Sequence, residues 1–97
     1  MKVVVSDQVV EFVRHLAPEP RRLVRRALRN LAAWKGDVRQ LEAPLEGYSR
    51  LRVSAYRIIF SYGRRRTIEC VFAERRSLVY EIFARALAEQ FIAAAEK

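Results

Sequence analysis

The chain reads as an α+β protein: an antiparallel sheet of four or five strands, two N-terminal helices packed on one of its faces, and a C-terminal helix, in the order βααβββ before that last helix. Three observations carry this reading. A short apolar run after Met1 gives way to two stretches whose apolar residues recur at helical spacing, and from Gly47 to Ala73 the spacing changes to the alternation of strands. Helical spacing then returns after Ser77. Ninety-seven residues provide one small core, and no internal repeat, low-complexity segment or Gly/Ser linker interrupts them, so one domain over residues 1–97 is expected.

Lys2 to Val5 is the first strand, ended by Ser6, which can cap the following helix, and by Asp7, whose charge suits a first turn. That helix places Val9, Phe12, Val13 and Leu16 on one face, and Pro18-Glu19-Pro20 stops it. The second helix runs from about Glu19 to Lys35. Leu23, Val24, Ala27, Leu28, Leu31 and Trp34 form its apolar stripe, Arg21, Arg22, Arg25, Arg26 and Arg29 lie outside it, and Gly36 takes the C-cap position. The two helices are expected to reach the sheet through Phe12, Leu16, Leu28 and Leu31.

Val38 to Leu41 is a short strand, and Ala43-Pro44-Leu45-Glu46-Gly47 turns into a hairpin whose strands meet at Ser54-Ala55. Successive strand side chains point to opposite faces. Leu51, Val53, Tyr56, Ile58 and Phe60 therefore cover the core, and Arg50, Arg52 and Arg57 stand together on the other face. Tyr62-Gly63-Arg64-Arg65-Arg66-Thr67 supplies the next turn, and Ile68 to Ala73 a further strand with Ile68, Cys70 and Phe72 inward. A C-terminal helix occupies residues 78–97, with Ser77 as its cap; its stripe of Leu78, Ile82, Phe83, Ala86, Leu87 and Phe91 runs to about Ala95. It is long for so small a protein, which suits a partly detachable element.

A formal charge of +8 and a pI near 10.6 point to an anionic partner: nucleic acid, an acidic protein segment or an anionic surface. Sixteen of the nineteen cations are arginine, whose planar guanidinium suits bidentate recognition of phosphate or carboxylate, although a GC-rich coding bias gives the same count. From Tyr48 through Arg66 there are six arginines and no acid. Like charges side by side on neighbouring strands repel, which favours a bound anion over a merely solvated face. Tyr80, near Arg75 and Arg76 in sequence, either projects toward those arginines or packs the start of the last helix.

The remaining inventory is sparse. No cysteine-histidine cluster could hold zinc and no glycine-rich loop could cradle a nucleotide, so no metal and no cofactor are expected. His15 reads as a surface residue on the first helix. Cys70 reads as a buried thiol, for which a reducing cytoplasm is the natural compartment, and no stretch has the length of a membrane span or the pattern of a signal peptide.

Taken together, the element order and these residues resemble the RelE/ParE superfamily of bacterial type II toxins. The likeness rests on the strand, two helices and strand meander; on a Leu-x-Gly turn, here Leu45-Glu46-Gly47; on the strand pair Arg50-Leu51-Arg52-Val53 and Tyr56-Arg57-Ile58-Ile59-Phe60; and on Arg-x-x-x-Tyr, here Arg76 to Tyr80. It covers the chain to about Phe83. The resemblance implies a toxin neutralised by a co-produced antitoxin, in an oligomer with it, and most often a ribosome-dependent endoribonuclease that cuts mRNA without metal. It implies that Arg50 and Arg52 hold RNA phosphates, that Arg57 stabilises the charged phosphorane, that Arg76 adds a further cation and that Tyr80 orients the nucleophile or assists proton transfer. Tyr48 and Arg75 stand where many active relatives carry lysine or histidine and complete the RNA-binding set. Arginine cannot accept a proton at working pH, which leaves Tyr48, Tyr80, Glu69 and Glu74 for that task. Ser54-Ala55 replaces the Gly-Asp common in relatives. Two other functions stay open: a ParE-like toxin that blocks DNA gyrase without chemistry of its own, and a member that only binds its antitoxin.

Overall fold

The computed structural model describes residues 1–95. Its elements are β1 (Lys2–Val5), α1 (Asp7–Arg14), α2 (Pro18–Ala32), β2 (Asp37–Gln40), β3 (Ser49–Val53), β4 (Tyr56–Tyr62), β5 (Thr67–Arg75) and α3 (Val79–Ala95). The last two residues of the expected C-terminal helix lie outside the described residues. The five strands form one sheet in the order β1-β5-β4-β3-β2. It is mixed where an antiparallel sheet was expected, because β1 runs parallel to β5. The long excursion through α1, α2 and three strands brings the chain back beside β1 in its own direction, as a parallel pair requires a crossover.

Ser6 caps α1 as expected: its Oγ accepts from the Val9 amide at 3.3 Å and donates to the Val71 carbonyl at 3.0 Å. Pro18 and Pro20 do not merely separate the helices; they lie in the first turn of α2, where a missing N–H costs nothing. That helix ends earlier than expected. Ala33 is the C-cap and Trp34, at φ 61°, takes the left-handed conformation assigned to Gly36. The Trp34 amide donates to Leu31 and the Lys35 amide to Asn30, the paired bonds of a Schellman ending. Gly36, at φ 139°, instead makes room in the turn to β2, where a Cβ would meet Leu51 Cδ1 at 2.8 Å.

One face of the sheet carries α1 and α2 over a core of Val9, Val13, Val24, Leu31, Leu51, Val53, Ile58, Phe60, Ile68, Cys70 and Ala73. Of the four helix contacts expected, Leu31 is fully buried, while Phe12, Leu16 and Leu28 pack at the rim. The other face carries a smaller cluster of Leu45, Ile59, Val79 and Phe83, with Val71, Phe72 and Tyr48 at its edge. A register shift between Ile59 and Phe60 explains how β5 serves both clusters: Ile59 pairs with Phe72 and Phe60 with Cys70, so Val71 is the extra residue. Phe72, expected inward with Ile68 and Cys70, is thereby turned to the far face and Ala73 takes its place.

The helix α3 starts two residues after its expected cap, Ser77; the Leu78 carbonyl accepts its first bond, from the Ile82 amide. Val79 and Phe83 anchor it, and from Ala88 onward every described residue is exposed, Phe91 to 77%. Among the described residues, nothing covers its distal half. No helix among the described residues is long and apolar enough to cross a membrane.

Candidate functional site

The register of the central strands decides which side chains meet. Arg52 lies opposite Arg57, Arg50 opposite Ile59, and Arg57 also opposite Glu74. Directly paired residues share a face, so Arg50, Arg52, Arg57 and Glu74 project from the face opposite α1 and α2, beside the cluster under α3. The expected gathering of the three sheet arginines is found. It also includes two residues the sequence reading passed over, because β2 pairs Asp37 with Arg52 and Arg39 with Arg50.

Asp37 changes the electrostatics of this field. Arg50 is only 9% exposed, and its Nη1 donates to the Asp37 carbonyl at 2.9 Å and to its Oδ1 at 3.1 Å. Arg52 is farther from the same carboxylate, at 3.9 Å, with both side chains half exposed. The anion that the sequence seemed to demand is thus partly supplied from within. Arg50 is committed to holding β2 against β3, whereas Arg52 keeps its charge at the surface.

Arg57 sits at the centre. Its side chain is 7% exposed, and Nη1 donates to the carbonyls of Ser54 and Tyr56 at 2.9 and 2.8 Å. Those carbonyls flank the β3–β4 turn, where Ser54 at φ 54° turns the chain. Burial pushes the guanidinium below its ordinary value, followed by repulsion from Arg52 and Arg50; the Tyr80 phenol acts in the opposite sense, and Arg76 adds a last repulsive contribution. These influences bring all four groups into electrostatic reach of Arg57. An arginine remains charged under them. Arg76 is positioned through its backbone, its amide donating to Ala55 at 2.8 Å, and Tyr80, 38% exposed, follows in the first turn of α3.

Two of the expected site residues are placed elsewhere. Tyr48 packs edge-on against Phe83 with ring centroids 5.0 Å apart, half-buried under α3. Arg75 pairs with Tyr56, whose ring touches Phe12 of α1, so it faces the helical side and lines a hollow with Gln8, Glu11, Phe12, His15, Leu16 and Glu74. His15 therefore comes near Arg75 despite the distance between them in sequence, and its Nδ1 lies 2.8 Å from the Glu11 carbonyl. Of the candidate proton acceptors, Tyr80 acts on the Arg57 charge, Glu74 pairs with Arg57 in register but its Oε1 accepts from the Arg75 amide at 2.8 Å, and Glu69 lies against Gly63 at the other end of the sheet. Among the described residues no three His, Cys, Asp or Glu side chains gather as a metal site.

No protein-family model matches the chain, and no curated protein matches it by sequence. Solved structures do. A chain of the RelB–RelE antitoxin–toxin complex from Methanococcus jannaschii superposes with a TM-score of 0.64 at 19% identity, over 82% of this chain and 98% of that one. A chain of the toxin–antitoxin complex RelBE2 from Mycobacterium tuberculosis gives 0.61 at 16% identity, over 77% and 96%. The architecture thus belongs to a known class, an α+β sheet with two helices on one face. More particularly, the fold is RelE-like, in agreement with the resemblance carried by the arginine strands.

Proposed function

We propose that the protein is the toxin of a type II toxin–antitoxin pair and an endoribonuclease that cleaves mRNA on the ribosome. What supports this reading is that Arg52 and Arg57 share one sheet face, with Arg76 and Tyr80 near enough to act on the Arg57 charge, in a +8 chain with the RelE-like fold. RNA cleavage through the 2′-hydroxyl needs a proton acceptor, stabilisation of charge on the phosphoryl oxygens and help to the leaving 5′-oxygen. Arg57 supplies the second need. Two carbonyls hold it by a single nitrogen, Nη1, so its orientation is set before substrate arrives. Arg52 and Arg76 draw the flanking phosphates. Tyr80 borders the same point, its phenol to orient the nucleophile or relay a proton.

One feature favours a binding toxin as second reading: all three sheet arginines have partners inside the chain, Arg50 and, at 3.9 Å, Arg52 in Asp37, and Arg57 in the turn carbonyls. Inducible expression with primer extension on cellular mRNA separates the two. Codon-registered cuts are expected; intact mRNA with failing DNA supercoiling overturns the nuclease reading in favour of a gyrase-blocking toxin, and intact mRNA with normal supercoiling in favour of a protein that only engages its antitoxin.

A further inference from the structure

At the end of β4 remote from Arg57, about 17 Å away by strand rise, two large aromatic rings lie open to solvent. Trp34 is 61% exposed and Tyr62 51%. They stack on one another with centroids 5.8 Å apart and planes 27° from parallel. Tyr62 is held from behind by the edge of fully buried Phe60, 5.7 Å away at 88°. The outer ring is thus fixed on a pedestal rooted in the core. Most of the Trp34 surface thus remains in water despite the stack.

Cations flank this platform. Tyr62 leads directly into the exposed Arg64-Arg65-Arg66 turn, closed by Gly63 N–H donating to the Thr67 carbonyl at 2.8 Å. The Lys2 amide donates to the Arg66 carbonyl, and the Met1 amine donates to Ala32 at the end of α2, so the turn and the Trp34 corner are tied to one another through β1. Among the described residues none of these three arginines makes an ion pair within 4.0 Å. Glu69, the acid against Gly63, belongs to the opposite sheet face with Ser61. Trp34, Arg65 and Arg66 all adopt left-handed backbone, at φ 61°, 57° and 57°, where glycine or asparagine is easier.

We propose that Trp34, Tyr62 and the Arg64-Arg65-Arg66 turn form a second contact for single-stranded RNA, in which an unpaired base extends the stack on the open face of Trp34 and the turn arginines meet the adjoining phosphates. A flat ring continuing an existing stack suits a nucleobase, and three planar guanidiniums beside it suit a polyanion; together they are the two components of single-strand recognition. The carboxylates of an acidic protein segment would meet the arginines and leave the stacking face unused. The contact deepens the RNA reading given above, yet it lies apart from Arg57 and does not depend on cleavage.

Trp34 is the sole tryptophan, so its emission reports on the site directly. The full chain is titrated with a 12-nucleotide 2′-O-methyl oligoadenylate, which lacks the nucleophile for cleavage, and binding is followed by tryptophan emission and by anisotropy of the end-labelled oligonucleotide. Quenching is expected with the parent. Trp34→Gly, which keeps the left-handed turn comfortable, should weaken binding about 5-fold to 150-fold, with Trp34→Phe in between. Replacing all three turn arginines by alanine should lower the slope of log affinity against log salt by about 2. Emission unchanged at saturating anisotropy, or parental affinity in Trp34→Gly, overturns the proposal. So does a Trp34→Gly variant that binds the oligonucleotide normally but loses antitoxin or self-association, which assigns the platform to a protein partner. Intact mRNA in expressing cells beside normal Trp34-dependent binding rejects the nuclease and leaves this site standing.

Discussion

Arg57 spends one nitrogen on two backbone carbonyls, and a lysine there keeps the charge but loses the planar geometry that aims the rest of the guanidinium. In single turnover on ribosome-bound mRNA, Arg57→Lys should lower the cleavage rate about 10²-fold to 10³-fold while ribosome binding changes little. Tyr80→Phe should likewise slow cleavage and spare binding; parental rates in both variants reject the site. Cys70 gives a second expectation at this scale. Burial pushes its thiol from 9.0 up to about 12. A group that holds its proton more tightly when folded stabilises the fold below its ordinary pKa and loses that contribution as pH rises between about 9 and about 12. Denaturant midpoints should therefore fall more steeply over that window in the parent than in Cys70→Ala; parallel curves deny the thiol any part. The arginine row was legible because strict alternation from Arg50 to Arg57 fixes faces. Asp37 and Arg39 were not, because four residues with one apolar side chain carry almost no period, and neither was the turn of Arg75 to the helical face, which depends on what happens upstream in β5.

What happens there is an element-scale event. One unpaired residue, Val71, reverses the alternation, so Phe72 joins the cluster beneath α3 and Ala73 fills the core. A sequence of alternating apolar residues gives no notice of a bulge unless glycine marks it, and none does here. Helix positions, by contrast, followed from apolar spacing to within a few residues, while the end of α2 was misplaced because glycine is the usual left-handed residue and Trp34 takes that role. The parallel edge is likewise a matter of pairing and not of composition. It leaves Ala73 beyond the reach of β1, and Gln8 fills the gap, its amide donating to the Ala73 carbonyl and its oxygen accepting from the Ala73 amide, both at 2.8 Å. Gln8→Ala strands a fully buried amide, so a loss of about 1–3 kcal/mol is expected, seen as a lower urea midpoint with an unchanged slope. A midpoint equal to the parent's shows that water replaces the side chain.

Across the molecule, the cations divide into those that hold the fold and those that offer charge outward, and salt dependence distinguishes them. Arg52→Ala should reduce the slope of log RNA affinity against log salt by about 0.7, the single-strand value per phosphate. Arg50→Ala should instead reduce stability and leave the slope near the parental value, since its partner is Asp37; equal slope changes in the two variants refute that division. The two apolar clusters on opposite faces divide the molecule in another way. Opening α3 exposes only the smaller one, whereas opening β4 disrupts both, so backbone amides should exchange with deuterium in two tiers. Those of α3 from Val79 onward are expected to exchange through a local opening of lower free energy, and those of β4 only through global unfolding. A single tier for both sets denies α3 an independent opening. With two tiers, the lifetime of the docked helix becomes the time for which Tyr80 is held beside the arginine face, set by an exchange equilibrium at the edge of the sheet.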